Sequence, residues 1–206
     1  MKQPLESLNM TVVLGLVLTL IMTCVVASTG YSSAMDLYQS PVIIRWLHVV
    51  SGVMWVGLLW YFNFVQIPNM PNIPDDQKPA IGKIIAPAAL FWFRWAAMGT
   101  IIFGLYLAQL NGYLAEALTL SGGPNTVAIG IGMWLGLIMW FNVWFVIWPN
   151  QKKALGIVET DADAKAAAET DADAKAAAAR TAMLFSRTNT LLSFPMLLAM
   201  VSAQNI

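Results

Sequence analysis

The sequence predicts an all-α integral membrane protein, a bundle of about five transmembrane helices. Of its 206 residues, 58% are hydrophobic and 11% are charged, whereas a soluble domain is about half apolar and a quarter charged. The mean hydropathy is +0.65. Because ~20 apolar residues cross the hydrocarbon core, we expect spans at about 10–29, 41–65, 87–110, 126–148 and 182–203. They use most of the chain, so residues 1–206 are predicted to form a single membrane domain.

The distribution of Lys and Arg predicts the orientation of the bundle. Eight of these eleven residues fall at the N-terminus, in the second loop or in the fourth loop, and none falls in the first loop, the third loop or the C-terminal tail. Loops rich in Lys and Arg remain in the cytoplasm. We therefore expect a cytoplasmic N-terminus and a periplasmic C-terminus.

Charge and cysteine usage exclude several classes of function. The net charge is zero and no basic stripe occurs, so the chain lacks the electrostatic surface that binds nucleic acid. The single cysteine, Cys24, excludes an internal disulfide and a CxxCH haem attachment site. One histidine excludes a multi-histidine metal cluster within one chain. Any chemistry must use few polar groups or a bound cofactor.

Two polar segments between the spans are predicted to be structural. Residues 159–168 and 169–178 repeat the decapeptide ETDADAKAAA without a change. Alanine favours helix, and Asp and Lys favour water, so we interpret 154–180 as a cytoplasmic helical extension. The second loop, 66–87, contains five prolines and is predicted to be a surface loop.

One face of the second span carries polar, small and aromatic residues. At 100° per residue, nine side chains point within about 60° of one direction: Arg45, His48, Ser51, Gly52, Trp55, Leu59, Phe62, Asn63 and Gln66. A lipid-facing surface gives no reason to align the only histidine with these groups. The face is therefore predicted to look into the bundle or towards a cofactor.

His48 is the candidate ligand of a b-type haem iron. Gly52 lies one turn away and leaves room for a flat porphyrin, Trp55 can form a wall, and Arg45 can meet a propionate. The alternative role for His48 is an interhelical hydrogen bond. The second axial ligand also remains open: a methionine, the His48 of a second subunit in a homo-oligomer, or none. The predicted orientation places His48 in the outer half of the membrane.

A second set of polar residues falls in the inner half, away from His48. It consists of Arg94, Asn142, Arg187 and Asn189. Ionisable groups within a membrane are candidate functional residues, and these four can line a polar cavity for an anionic ligand. The alternative for Arg94 is support by neighbouring aromatic rings without any function.

Four strings together resemble a known family. HVVSGVMWVG at 48–57, WYFNFVQ at 60–66, NVWFVIWPNQKK at 142–153 and SRTNTLLSFPM at 186–196 are similar to the membrane domain at the N-terminus of bacterial urate hydroxylases, the urate oxidase N-terminal domain family. The resemblance implies a bacterial inner-membrane oxidoreductase that passes electrons from urate to a cytochrome c. Full-length members continue into a cytochrome c domain, and this sequence resembles a short form without it. We therefore expect a separate electron acceptor.

Three interpretations of function compete. In the first, the chain is a membrane redox protein with haem b at His48 and a cavity for an anionic purine or quinone in the inner half. In the second, it is a non-catalytic accessory subunit of a larger membrane complex, and its polar residues connect helices. A small-anion transporter ranks last, because neither an inverted repeat nor paired broken helices occur in the sequence.

Overall fold

The computed structural model describes residues 4–30, 41–156 and 172–203. Within those ranges the regular structure is helical and no strand forms. Five helices are long and apolar enough to cross a membrane, which fits a multi-pass membrane protein. Within the described ranges the all-α class is confirmed, and so is the expectation of five helices long and apolar enough to span a membrane. The orientation of the two termini stays a prediction.

The helices of the described ranges are numbered in chain order. They are α1 (Leu8–Gly30), α2 (Pro41–Asn72), α3 (Lys78–Leu110), the short α4 (Leu114–Leu118), α5 (Pro124–Leu155) and α6 (Ala172–Ser202). A single 3-10 turn, Pro4–Glu6, precedes α1. The expectation of a surface loop over 66–87 was wrong, because α2 and α3 extend into it and leave only 73–77 between them.

Wide helical turns explain how α2, α3 and α5 continue past prolines. Each contains a π-helical segment that ends two residues before a proline: Tyr61–Gln66 before Pro68, Ile81–Ile85 before Pro87, and Asn142–Ile147 before Pro149. A proline cannot donate to the carbonyl four residues earlier, and its ring clashes with that carbonyl. In all three helices this carbonyl lies within the π segment, where the wider turn accommodates it.

The chain divides into two compact units, Met1–Ile43 and Ile44–Ile206. In the first unit, the hydroxyl groups of α1 bond to the helix's own backbone. Thr19 Oγ1 donates to Gly15 O and Thr23 Oγ1 donates to Thr19 O, both at 2.8 Å. Because these polar groups are satisfied within the helix, α1 can present an apolar surface to lipid.

The core of the second unit lies between α2, α3, α5 and α6. Trp55 and Leu59 of α2 pack there with Phe93 of α3 and Met139 of α5, and each is at most 2% exposed. Trp55 and Leu59 belong to the face of the second span that was predicted to look inward. That prediction is confirmed over the middle of α2.

Gly132 allows α5 and α6 to approach closely. A Cβ added there would lie 3.1 Å from Met200 Cε and 3.3 Å from Ala199 Cβ, closer than ordinary packing permits. Gly136, one turn along, is less crowded, with Ile101 Cδ1 at 3.9 Å from such a Cβ. Small residues bring membrane helices together in this way.

A tight turn after α3 reverses the chain and positions Tyr113. Gly112 has a φ of +78°, a left-handed conformation that glycine adopts at no steric cost. Its N–H donates to Gln109 O at 3.0 Å, and the N–H of Tyr113 donates to Ala108 O at 3.2 Å. The first turn of α4 begins directly afterwards.

The tandem repeat lies only partly within the described residues. Helix α5 ends at Leu155, followed by Gly156 with a φ of +67°, and residues 157–171 lie outside the described ranges. The first copy, 159–168, is therefore not described. Helix α6 begins at Ala172, within the second copy, and runs without interruption into the fifth span.

Candidate functional site

The imidazole of His48 is held by the backbone of the neighbouring helix. Its Nδ1 lies 2.9 Å from the carbonyl oxygen of Thr100 on α3. Since a carbonyl oxygen can only accept, Nδ1 carries the proton and donates it. Nε2 then carries the lone pair, and no residue in the described ranges hydrogen-bonds to it. A backbone carbonyl that orients one ring nitrogen in this way is common behind metal-bound histidines.

Gly104 creates the space that this imidazole uses. A Cβ at residue 104 would lie 2.8 Å from His48 Cε1 and 2.9 Å from His48 Nδ1, so any side chain there would displace the ring. At Gly52, in contrast, a Cβ would meet only Thr100 Cγ2, at 3.9 Å. Gly104, which the sequence analysis missed, therefore makes room for the ring itself, whereas Gly52 lines the groove, as predicted. Thr100 and Gly104 form a small-xxx-small pair that was visible in the sequence.

A groove of about 720 Å³ adjoins His48. Its walls come from α2, α3, α5 and α6 and are mainly apolar, and its volume lies within the range of small-molecule and cofactor sites. The lining includes Arg45, His48, Gly52 and Trp55, which were all predicted to form a cofactor site, together with Thr100, Tyr113, Met133, Met196 and Met200. The structure therefore brings the four predicted residues to one cavity.

Arg45 and Tyr113 form the polar part of this groove. Arg45 is exposed and lies three residues before His48 on α2. Burial raises the pKa of the Tyr113 phenol, and the nearby positive charge of Arg45 lowers that pKa in part. Both side chains line the groove. Trp55 is almost fully buried, and its Nε1 has no hydrogen-bond partner in the described structure.

The two asparagines predicted for a polar cavity bond to each other. Asn142 Nδ2 on α5 donates to Asn189 Oδ1 on α6 at 2.9 Å, and Asn189 Nδ2 donates to Met139 O at 2.9 Å. Both side chains are buried. A similar contact joins α2 to α6, where Asn63 Nδ2 donates to Ser186 Oγ at 2.8 Å. These amides connect helices, as polar side chains within membranes commonly do.

The two arginines predicted for the same cavity lie in different surroundings. Arg94 is stacked on α5, with its Cζ 3.2 Å from the ring centroid of Trp148 and 6.0 Å from that of Trp144. The aromatic support for Arg94 thus comes from another helix. Arg187 is exposed on α6. The structure therefore does not place Arg187 beside the buried asparagines.

Comparisons with protein-family models, with curated proteins and with solved structures find no match to this chain. The resemblance to the membrane domain of urate hydroxylases therefore depends on the four sequence strings alone. All four strings contribute residues to the geometry described above, including Asn63 from 60–66 and Asn142 from 142–153. The string 48–57 supplies His48 and Trp55 to the groove, and the string 186–196 supplies Ser186 and Asn189, which bond to α2 and α5.

Proposed function

We propose that the chain is an electron-transfer protein of the bacterial inner membrane that binds haem b in the groove, with His48 as an axial ligand. The observation that carries the proposal is the hydrogen bond from His48 Nδ1 to the Thr100 carbonyl. It directs the proton to one ring nitrogen and leaves the other, Nε2, free for iron. A histidine with only a structural interhelical role would not need a cavity next to it.

The other residues of the groove fit the same group. A porphyrin is flat and largely apolar, and the groove has apolar walls and a volume of about 720 Å³. The propionates are anionic, and Arg45 is an exposed cation one turn from His48 that can hold them by charge-assisted hydrogen bonds. Bound haem would supply one-electron redox chemistry. The protein would orient the imidazole, exclude water with Trp55 and balance the propionate charge with Arg45.

Methionines offer a second ligand without a second subunit. Met133 of α5 and Met196 and Met200 of α6 line the groove, and a thioether is an established partner of histidine on haem iron. We expect one of the three Met→Leu variants to change the reduced absorption bands and lower the reduction potential, because loss of thioether ligation favours ferric iron. If all three variants retain the wild-type spectrum, none of these three methionines is a ligand of the iron.

The electron acceptor would be a separate cytochrome c. The predicted orientation places His48 near the periplasmic surface, where such a partner is found, and the family resemblance implies urate as the electron donor. Urate-dependent reduction of the purified protein is the test of this substrate. Absence of reduction by urate, in a sample that binds haem and is reduced by dithionite, would exclude urate as donor and leave the haem site intact.

The decisive experiment is a reduced-minus-oxidised absorption spectrum of detergent-purified wild type, His48→Ala and Ser186→Ala. Ser186→Ala is the matched control, because it removes an interhelical hydrogen bond, to Asn63, outside the groove. We expect b-type bands in the wild type and in Ser186→Ala, their loss in His48→Ala, and partial recovery with added imidazole. If the wild type has no b-type bands after purification with haem supplied, the haem proposal is excluded.

The alternative function is a non-catalytic accessory subunit. The observation that favours it is the amide pair Asn142–Asn189, which connects two helices and uses donors that a substrate cavity would require. Purification from native membranes distinguishes the two functions. An accessory subunit without a cofactor would purify with a larger complex and contribute no haem bands of its own.

A further inference from the structure

Two cations lie against one indole ring near the end of α5. Arg94 Cζ of α3 is 3.2 Å from the ring centroid of Trp148, and Lys152 Nζ of α5 is 5.6 Å from the same centroid. The two charges are therefore no farther apart than the sum of these distances. Trp148 and Lys152 are both half-buried, so water screens the repulsion between the charges only in part.

No carboxylate of the described residues neutralises either cation. The ion pair found in those ranges joins Lys78 to Asp75, outside the spans. Attraction to the face of Trp148 stabilises each cation, but it does not remove the repulsion between them. An anion placed between Arg94 and Lys152 would offset that repulsion. A partly buried pair of cations in a membrane protein needs a negative charge of this kind.

Buried N–H groups beside Trp148 also lack hydrogen-bond acceptors in the described structure. Nε and Nη1 of Arg94 are buried, and neither has an acceptor in the described structure. A guanidinium that lies over a ring directs its N–H groups outward in its own plane, and this planar fork matches the oxygens of a phosphate. Trp144, whose ring centroid is 6.0 Å from Arg94 Cζ, adds a buried Nε1 without a partner.

We propose that Arg94 and Lys152, which both lie against the ring of Trp148, bind the phosphate of an anionic phospholipid headgroup. The site adjoins a lipid-exposed aromatic surface, because Trp95 is 51% exposed and its ring centroid lies 5.6 Å from that of Trp144. The predicted orientation places it at the cytoplasmic leaflet, where tryptophans and lysines mark the interface and basic pockets between helices bind anionic lipids. The proposal does not depend on haem at His48.

The test measures lipid binding to the full chain in detergent by native mass spectrometry. Phosphatidylglycerol is compared with phosphatidylcholine for the wild type, Lys152→Gln, Arg94→Lys and the control Lys83→Gln, which removes an exposed lysine of α3. We expect a preference for phosphatidylglycerol in the wild type and in Lys83→Gln. Lys152→Gln should bind phosphatidylglycerol about fivefold more weakly. Arg94→Lys keeps the charge and should also bind more weakly, because it loses the planar fork.

A second arm distinguishes a lipid from a soluble phosphate. The melting temperature is measured with phosphatidylglycerol and with glycerol 3-phosphate at equal concentration. We expect stabilisation by the lipid alone, and its reduction in Lys152→Gln. Equal stabilisation by glycerol 3-phosphate would overturn the assignment to a lipid headgroup. Equal loss of lipid binding in Lys83→Gln and Lys152→Gln would overturn the site itself, because it would show general charge attraction.

Discussion

The imidazole of His48 occupies a space that exists because residue 104 is glycine. The ring lies over the backbone of α3, donates to Thr100 O, and leaves Nε2 directed elsewhere. The sequence predicted that a small residue beside His48 would provide room for a flat ligand, and it suggested Gly52 because that residue is one turn away on the same helix. Gly52 does line the groove, but the glycine that makes room for the ring itself lies on another helix, which periodicity within one span cannot indicate.

Substitution of Gly104 tests this arrangement. Gly104→Val should displace the imidazole, break its hydrogen bond to Thr100 and lower the free energy of unfolding by about 1–3 kcal/mol. It should also abolish the proposed haem bands. The control is Gly15→Ala in α1, where a Cβ meets no atom within 4 Å and alanine favours helix. Unfolding curves in mixed micelles give the stabilities. A Gly104→Val protein as stable as wild type would contradict the close approach of the His48 ring to residue 104.

The pKa of Tyr113 tests the electrostatic interaction between the Arg45 guanidinium and this phenol. Burial raises the pKa of this phenol and the charge of Arg45 lowers it, so Arg45→Gln should raise the pKa further. Because the folded pKa is above the unfolded one, stability is lost as the pH rises through this range. Phenolate absorbance, taken as the difference from Tyr113→Phe, measures the pKa. An unchanged or lower pKa in Arg45→Gln would show that the two groups do not interact.

At the scale of the elements, helix α6 accepts hydrogen bonds from buried asparagines of two other helices, α2 and α5. Asn63 of α2 donates to Ser186 and Asn142 of α5 donates to Asn189, and both donors lie in π-helical segments. After each of these segments, the residue following the proline is also asparagine. Asn69 donates to Val65 O and Asn150 donates to Val146 O, both at 2.8 Å. In both helices the asparagine after the proline thus adds a side-chain donor to a carbonyl of the π-helical segment.

A double-mutant cycle on Asn142 and Asn189 tests whether this pair is structural. Each single change to alanine should destabilise the bundle, because one partner is left buried without its hydrogen bond. The coupling free energy should be about 0.6 to 2 kcal/mol. Unfolding in mixed micelles supplies the four stabilities of the cycle. Additive effects, with no coupling, would favour the predicted polar cavity over the direct pair.

At the scale of the whole molecule, five long apolar helices and the position of the cations predict one arrangement in the membrane. The residues of the groove and the cation pair at Trp148 then lie in opposite halves of the bundle. Arg94 and Gly104 are both on α3, ten residues apart, which corresponds to about 15 Å along a helix. Substitutions can therefore test the proposed cofactor site and the proposed lipid site separately, and the orientation of the chain decides which of the two faces the periplasm.

Cysteine labelling tests that orientation. Cys24 is the only cysteine, so Cys24→Ser provides a background for single changes. In intact spheroplasts, a membrane-impermeant maleimide should label Ser121→Cys, in the third loop, and should label Lys83→Cys only after the membrane is broken. Residues 83 and 121 are both exposed, so accessibility within the protein is matched. The reverse pattern would invert the predicted topology and move the groove to the cytoplasmic side.

The sequence by itself predicted the all-α class, the five helices that are long and apolar enough to span a membrane among the described residues, and the inward face of α2. These properties follow from local composition and from the helical period, which any membrane-spanning segment must respect. It could also identify His48 as the chain's one imidazole. It could not predict that 66–87 is mostly helical, because the sequence marks its prolines as helix-breaking and does not show the π turns that accommodate them.

Only the tertiary structure decided which groups meet. The contacts of His48 with Thr100 and Gly104, of Asn142 with Asn189 and of Arg94 with Trp148 join residues that lie far apart in the chain. The hydrophobic period of a helix is compatible with several neighbouring helices and with several rotations of that helix about its own axis. Close packing at glycines such as Gly132 favours one of them, because a side chain there would lie too close to Ala199 and Met200 of α6.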